Sequence, residues 1–197
     1  IYHTHTHEGY AEAGSDTDQE DFSVVGVGDV LAQELEEGYG ISVVHDKTIH
    51  DTSPYNQSYY RSEPTVQSYL NQFPNLKLVI DLHRNSGPSK EATTTVINDQ
   101  SLARLLFVTS KNSPNYSQMM EAVNGMISIS EELFPGLMGD GKDGTGLYEY
   151  NHGSNTFNQK LSPACVLTEF GTDLNTAQEA KLSAKYLARV IAEYLNK

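Results

Sequence analysis

An α/β fold with a mixed, mostly parallel sheet is predicted on three observations. Short runs rich in Val, Ile and Leu alternate along the chain with longer segments of helical periodicity. Two apolar runs, KLVIDLH (77–83) and ACVLTEF (164–170), are continuous, as expected of strands buried on both faces, and each ends in polar residues. No linker-like stretch, repeat or low-complexity tract divides the 197 residues, so the expectation is a single three-layer domain over 1–197 with helices on both faces of the sheet.

Ile1 and Tyr2 read as the tail of a strand whose earlier residues are missing, so a trimmed fragment is expected, with any export signal or anchor upstream. The Gly/Ser/Asp-rich stretch 9–21 reads as a surface loop. In VVGVGDVLAQELEEG, Val24, Val27, Leu31 and Leu35 recur at helical spacing and Gly38 stops the turn. ISVVHD (41–46) is a strand candidate, and a second helix is predicted over 62–73, with Ser62 as N-cap and Pro64 in the first turn. A buried strand follows over 77–83. TTTVI (93–97) and RLLFVTS (104–110) read as strands, 116–133 as a long helix, GDGKDGTG (139–146) as a turn cluster and LYEY as a short strand. The buried strand 164–170 and a helix over 176–195 close the chain.

Thirteen basic residues against twenty-six acidic ones give a formal charge of -13, which argues against nucleic acid or an anionic membrane surface as the main partner. No run approaches the roughly 18 apolar residues of a membrane span. A single cysteine, Cys165, excludes a disulfide framework and a Cys-rich zinc knuckle, so a metal here must be held by nitrogen and oxygen.

Such ligands are concentrated in the opening IYHTHTHEGY. If the strand continues, period-2 alternation aims His3, His5 and His7 at one face, with Glu8 pointing away. If it ends near His5 and the chain turns, His5 and Glu8 form a His-x-x-Glu pair that closes on one ion. The second reading is favoured, because the composition from Gly9 onward is that of a loop and because His83, at the end of a buried strand, then supplies a third ligand. Two nitrogens and a carboxylate leave a position open for water, as in catalytic zinc sites. Glu169, carried out of the core by ACVLTEF and followed by Gly171, is the candidate base.

Around these, Asp81 and His3 are candidates to orient a ligand. His45 and His50 are candidates for a substrate-touching loop pair or a spare ligand. Arg84 either grips a substrate carboxylate or balances acidic surroundings. His152 is placed in a loop, and YNQSYYRS (55–62) looks like a polar-aromatic loop suited to a sugar or peptide.

Taken together, IYHTHTHEGY, HDKTIHDTSPYNQSYYRS, DLHRN, FNQKLSP and LTEFGTDLNT resemble the stage II sporulation protein P family of endospore-forming bacteria, over nearly the whole chain. The resemblance implies a zinc-dependent N-acetylmuramoyl-L-alanine amidase, similar in fold to other cell-wall amidases, with endopeptidase activity on peptide cross-links. It implies peptidoglycan as substrate, a lytic transglycosylase and a membrane scaffold protein as partners, and action between mother cell and forespore during engulfment. His5 and His83 correspond to strand-end histidines of the wider amidase group, and Glu169 to its catalytic glutamate. That group takes its middle ligand from the start of the first helix, where this chain reads FSVVGVGD, with no carboxylate before Asp29. Glu8 is the substitute, with His3, His7 and His50 as the alternatives. Two other readings compete: a zinc carboxypeptidase using Arg84, and an inactive wall-binding module.

Overall fold

The structure, a computed structural model, describes residues 1–139 and 144–196. In chain order the elements are α1 (Val24–Gln33), α2 (Ser58–Gln72), β1 (Val79–Asn85), β2 (Thr94–Ile97), β3 (Gln100–Ala103), β4 (Leu105–Ser110), α3 (Tyr116–Leu133), β5 (Leu147–Tyr150), β6 (Cys165–Thr172) and α4 (Ala177–Leu195). The main sheet has the order β1-β6-β4-β5, parallel except for the central β6–β4 pair. The opening residues extend it past β1: Tyr2 N–H donates to Ile80 O (2.9 Å) and Leu82 N–H to Tyr2 O (3.0 Å).

Period-2 alternation divides the strands between two faces. Ile80, Leu82, Val166, Phe170, Leu105 and Phe107 enter the main core with Val27 and Leu31 of α1, Met119 and Val123 of α3, and Ala184 and Leu187 of α4. Burying a large aliphatic side chain of this kind contributes about 1.5–3 kcal/mol. On the other face, Val79 and Cys165 pack with Tyr2 and with Val66 of α2, while Leu106, Val108 and Leu167 form a separate cluster with Phe157. The second of these clusters borders a cleft that is also lined by His83, Arg84 and Asn85 of β1 and Glu169 of β6. Behind it, α4 is fixed by a reciprocal capping box in which Thr176 Oγ1 accepts from Glu179 N–H (3.1 Å) and Thr176 N–H donates to Glu179 Oε2 (2.8 Å).

Two expectations need correction. Residues 41–46 run extended beside Ile1, which accepts from Asp46 N–H (2.9 Å), but form no strand. The second helix begins at Ser58, not Ser62: a 3-10 turn at Tyr55–Gln57 leads into it, and Ser62 lies buried within. The strand expected at 93–97 is present as β2, which folds back on β3 through Asn98 and Asp99, both with positive φ (52° and 60°), as a separate hairpin outside the main sheet. The expected turn cluster 139–146 falls partly on 140–143, outside the described residues.

Candidate metal centre

Two buried carboxylates shape the opening segment. Asp81 accepts the Thr4 N–H (2.9 Å) and hydroxyl (2.7 Å). Asp51 accepts the His7 N–H (2.9 Å) and the Thr6 hydroxyl (2.8 Å), and its Oδ1 lies 2.8 Å from His7 Nδ1. Held at both ends, the chain turns at Thr6 and His7 instead of extending. Gly9 completes the reversal, because a Cβ there would lie 2.2 Å from Gly14 O.

The turn places Glu8 between two histidines. His5 Nδ1 lies 3.2 Å from Glu8 Oε1, and His83 Nδ1 3.2 Å from Glu8 Oε2. One ligand atom from each of His5, Glu8 and His83 lies within 4.8 Å of the others. Glu8 Oε2 also accepts the Arg84 N–H (3.0 Å), and His83 Nε2 stands 2.9 Å from Asp81 Oδ1. Asp81 thus turns the far side of the ring towards itself and the Nδ1 side towards the centre, the relation expected between a ligating histidine and its orienting carboxylate. Two imidazole nitrogens and one carboxylate are a donor set suited to a borderline-soft divalent cation.

The electrostatics fit that use. Burial disfavours the charged form of His83, yet Asp81 and Glu8 outweigh it and hold its pKa well above 6.5. Burial likewise acts upward on Glu8, but His83 and His5 hold it well below the ordinary carboxylate range. The site therefore keeps an ionised acceptor facing a proton that a cation can displace. In β6, Glu169 pairs in register with His83. Burial pushes its pKa up to about 8, with His83 opposing and Glu8 adding to the shift, and its Oε2 is buried with no hydrogen-bond partner. Gly171 (φ 62°) places Glu169 just before a register shift; a Cβ there would lie 2.4 Å from Asn175 Oδ1.

His5, Glu8, His83, Arg84 and Glu169 line one cleft of about 490 Å³. Asp81 lies beneath it. His3 and His50 lie outside the lining: His3 Nδ1 donates to Leu82 O (2.9 Å), and its Nε2 is 2.8 Å from His45 Nε2. His50 Nδ1 donates to His3 O (2.9 Å), and its Nε2 is 3.0 Å from Thr65 Oγ1. His7 pairs with Asp51 and Asp18, while exposed His152 touches the Tyr150 ring. The Arg84 guanidinium donates to Gly9 O (3.2 Å) and Ser15 O (2.6 Å), tying down the loop.

The cleft also contains rings from the stretch 55–62, read from sequence as a ligand-facing loop without a single residue being chosen. Tyr55 stacks on His5 (ring centroids 4.3 Å apart, 21°) and Tyr59 meets the same ring edge-on at 5.8 Å, both from the loop read as polar-aromatic. Phe157 and Asp51 had no signal beyond membership in the quoted motifs.

The solved structure of the N-acetylmuramyl-L-alanine amidase Ami1 from Mycobacterium smegmatis is similar in fold, with a TM-score of 0.53 over 92% of this chain and 82% of that one, at 14% identity. Stage II sporulation protein P of Bacillus subtilis (strain 168) is 33% identical over 206 residues, covering 98% of this chain. The chain spans about half the length of that relative (50%). The family profile described as Stage II sporulation protein P (SpoIIP) matches residues 1–192. With a profile and a relative that each take in nearly all of its residues, the chain belongs to the stage II sporulation protein P family.

Proposed function

We propose that the chain is a zinc-dependent peptidoglycan hydrolase that cleaves the amide between N-acetylmuramic acid and the stem peptide, with endopeptidase activity on cross-links, during sporulation engulfment. The observation that carries this reading is the convergence of His5, Glu8 and His83 beside a buried carboxyl, Glu169, whose Oε2 has no partner. His5, Glu8 and His83 would hold the zinc, which would polarise the scissile carbonyl and lower the pKa of a water to about 7.

The protein's own groups do the rest. Asp81 sets its charge 2.9 Å from His83 Nε2, and Arg84 N–H holds the Glu8 carboxylate through Oε2. Glu169, which lines the same cleft, accepts the proton of the attacking water and returns it to the nitrogen of the leaving amine. Buried Leu106, Val108 and Leu167 keep the adjoining wall dry. A carboxypeptidase would require a cation for the terminal carboxylate, and Arg84 already donates its Nε and Nη2 to backbone carbonyls.

The lytic transglycosylase and scaffold partners, and an extracytoplasmic position between mother cell and forespore, belong to this reading through the family. Among the described residues, no helix is long and apolar enough to cross a membrane.

Digestion of purified sacculi with and without chelation tests the reading. Zinc-restorable release of intact stem peptides, identified by mass spectrometry, is expected. Glu169→Gln should lower turnover by about 10²–10⁴-fold while zinc stays bound. Peptides that shorten yet stay on muramic acid would make the protein a peptidase instead.

A further inference from the structure

Amide hydrolysis calls for a base to take the proton of the water and for donors aimed at the charge that develops on the carbonyl oxygen. Glu169 fills the first role, and the cleft holds a polar group that has no role yet. Tyr59, in the first turn of α2, lines the cleft half-buried, whereas the other cleft tyrosines, Tyr55 and Tyr148, are 55% and 42% exposed. Among the described residues, the Tyr59 hydroxyl has no hydrogen-bond partner. Arg84, the cationic donor of the lining, already gives its backbone N–H to Glu8 and its Nε and Nη2 to Gly9 O and Ser15 O.

The packing fixes where this ring stands. It meets His5 edge-on at 5.8 Å and Phe157 edge-on at 5.5 Å, so it bridges from the candidate ligands to the apolar wall. Three residues on in α2, Ser62 Oγ lies 3.0 Å from Thr4 Oγ1 of the opening segment and accepts Asn158 Nδ2 (2.8 Å) next to Phe157, which ties the helix to both flanks. Glu169 stands between the same flanks in the sheet, with His83 opposite it on β1 and Leu106 opposite it on β4. A phenol is protonated at neutral pH in any case; here burial first, and then the charges of Asp81, Glu169 and Glu8 among its neighbours, push the Tyr59 pKa well above 10. We propose that the Tyr59 hydroxyl is a catalytic donor that hydrogen-bonds the carbonyl oxygen of the scissile amide as that oxygen becomes an oxyanion. As the water oxygen bonds to the carbonyl carbon, the π pair moves onto the carbonyl oxygen and Tyr59 O–H donates to it without transferring its proton. When that pair returns, the C–N bond breaks and the nitrogen takes its proton from Glu169. A carbonyl oxygen has two lone pairs, so this bond adds to the polarisation of the same carbonyl. A donor already fixed in a partly dry site needs no reorganisation, so it strengthens as charge builds. This inference deepens the proposed hydrolase function and rests on it.

The test compares wild type with Tyr59→Phe, which keeps the ring and its packing and removes only the oxygen. With zinc-loaded protein and a synthetic muramoyl peptide, kcat is expected to fall by about 10²–10³-fold while KM stays within about threefold. A phosphinate analogue, in which tetrahedral phosphorus replaces the scissile carbonyl carbon, should bind the variant more than about tenfold more weakly by calorimetry. Zinc affinity, measured by competition with a chromophoric chelator, should stay within about threefold of wild type, whereas a mere positioning role on His5 would lower it. A kcat within about threefold of wild type, or a loss of kcat matched by an equal loss of zinc affinity, overturns the donor role while leaving the hydrolase standing. Equal weakening of substrate and analogue does the same, because it marks uniform binding. No turnover by wild type overturns the hydrolase function and the donor role with it.

Discussion

His3 and His5 leave the same opening segment two residues apart and meet different fates. His3 is fully buried, and both its ring nitrogens are engaged: Nδ1 on Leu82 O, Nε2 on His45, whose own Nδ1 stands 3.0 Å from Asp29 Oδ1. Gly28 makes room for the pair, since a Cβ there would lie 2.5 Å from His45 Nε2 and 3.0 Å from His3 Nε2. His5 instead faces a cleft, with one nitrogen beside Glu8 and its ring held against Tyr55. Residue type is the same in both places. What differs is whether neighbouring elements offer a backbone carbonyl, which uses up a nitrogen, or a carboxylate and open space, which leave lone pairs for a cation.

The sharpest break of this contrast is Glu8→Ala against His3→Ala. Losing Glu8 removes a proposed ligand, so zinc affinity measured by competition with a chromophoric chelator should fall by more than about 100-fold, beyond the loss typical of an orienting partner. Wild-type affinity in Glu8→Ala would move the middle ligand to His3, His7 or His50. Next in size is Asp81→Asn, which keeps a side chain beside His83 but removes the charge. Affinity should fall by about 10–100-fold, and an unchanged value would deny Asp81 its orienting role.

His3→Ala should instead leave zinc affinity within about threefold of wild type. It strips a buried partner from His45 and from Leu82 O, so stability should drop by about 1–3 kcal/mol, or about 2–4 °C of melting temperature per kcal/mol. Gly28→Ala should cause a similar loss by crowding the same pair. Zinc binding lost with His3 but retained without Glu8 would invert the comparison.

The buried strands β1 and β6, and the polar residues at their ends, were legible because continuous apolar runs ending in His or Glu are a strong local signal. The turn at Thr6 and His7 was legible in outline from loop composition. Its cause was not, because the clamping residue Asp51 lies 44 positions from His7. The same holds for His45: nothing near VVHD indicates that Asp29, 16 residues earlier, and His3, 42 residues earlier, will occupy both its nitrogens. The α2 start was misplaced because Ser62, a good capping residue, is used in the interior, bonded to Thr4 and Asn158. Local chemistry thus named candidates, while tertiary contacts decided which nitrogens remained free.

The smallest expected effect sets Glu169 against Glu8, two carboxyls in one cleft pushed in opposite directions. Burial raises Glu169 from 4.5 to about 8, whereas His83 and His5 hold Glu8 low against the same burial. Between pH 4.5 and about 8 the unfolded chain has released the Glu169 proton and the metal-free native protein still holds it, so stability falls as pH rises through that window. Glu169→Gln removes this dependence. In chelator-treated protein, the variant should melt close to wild type near pH 4.5 and progressively above it as the pH rises to 8. A constant offset across that range would mean Glu169 is ionised throughout in the native state. In that case the carboxyl enters the reaction already ionised, and the proton it delivers to the leaving amine is the one it takes from the attacking water.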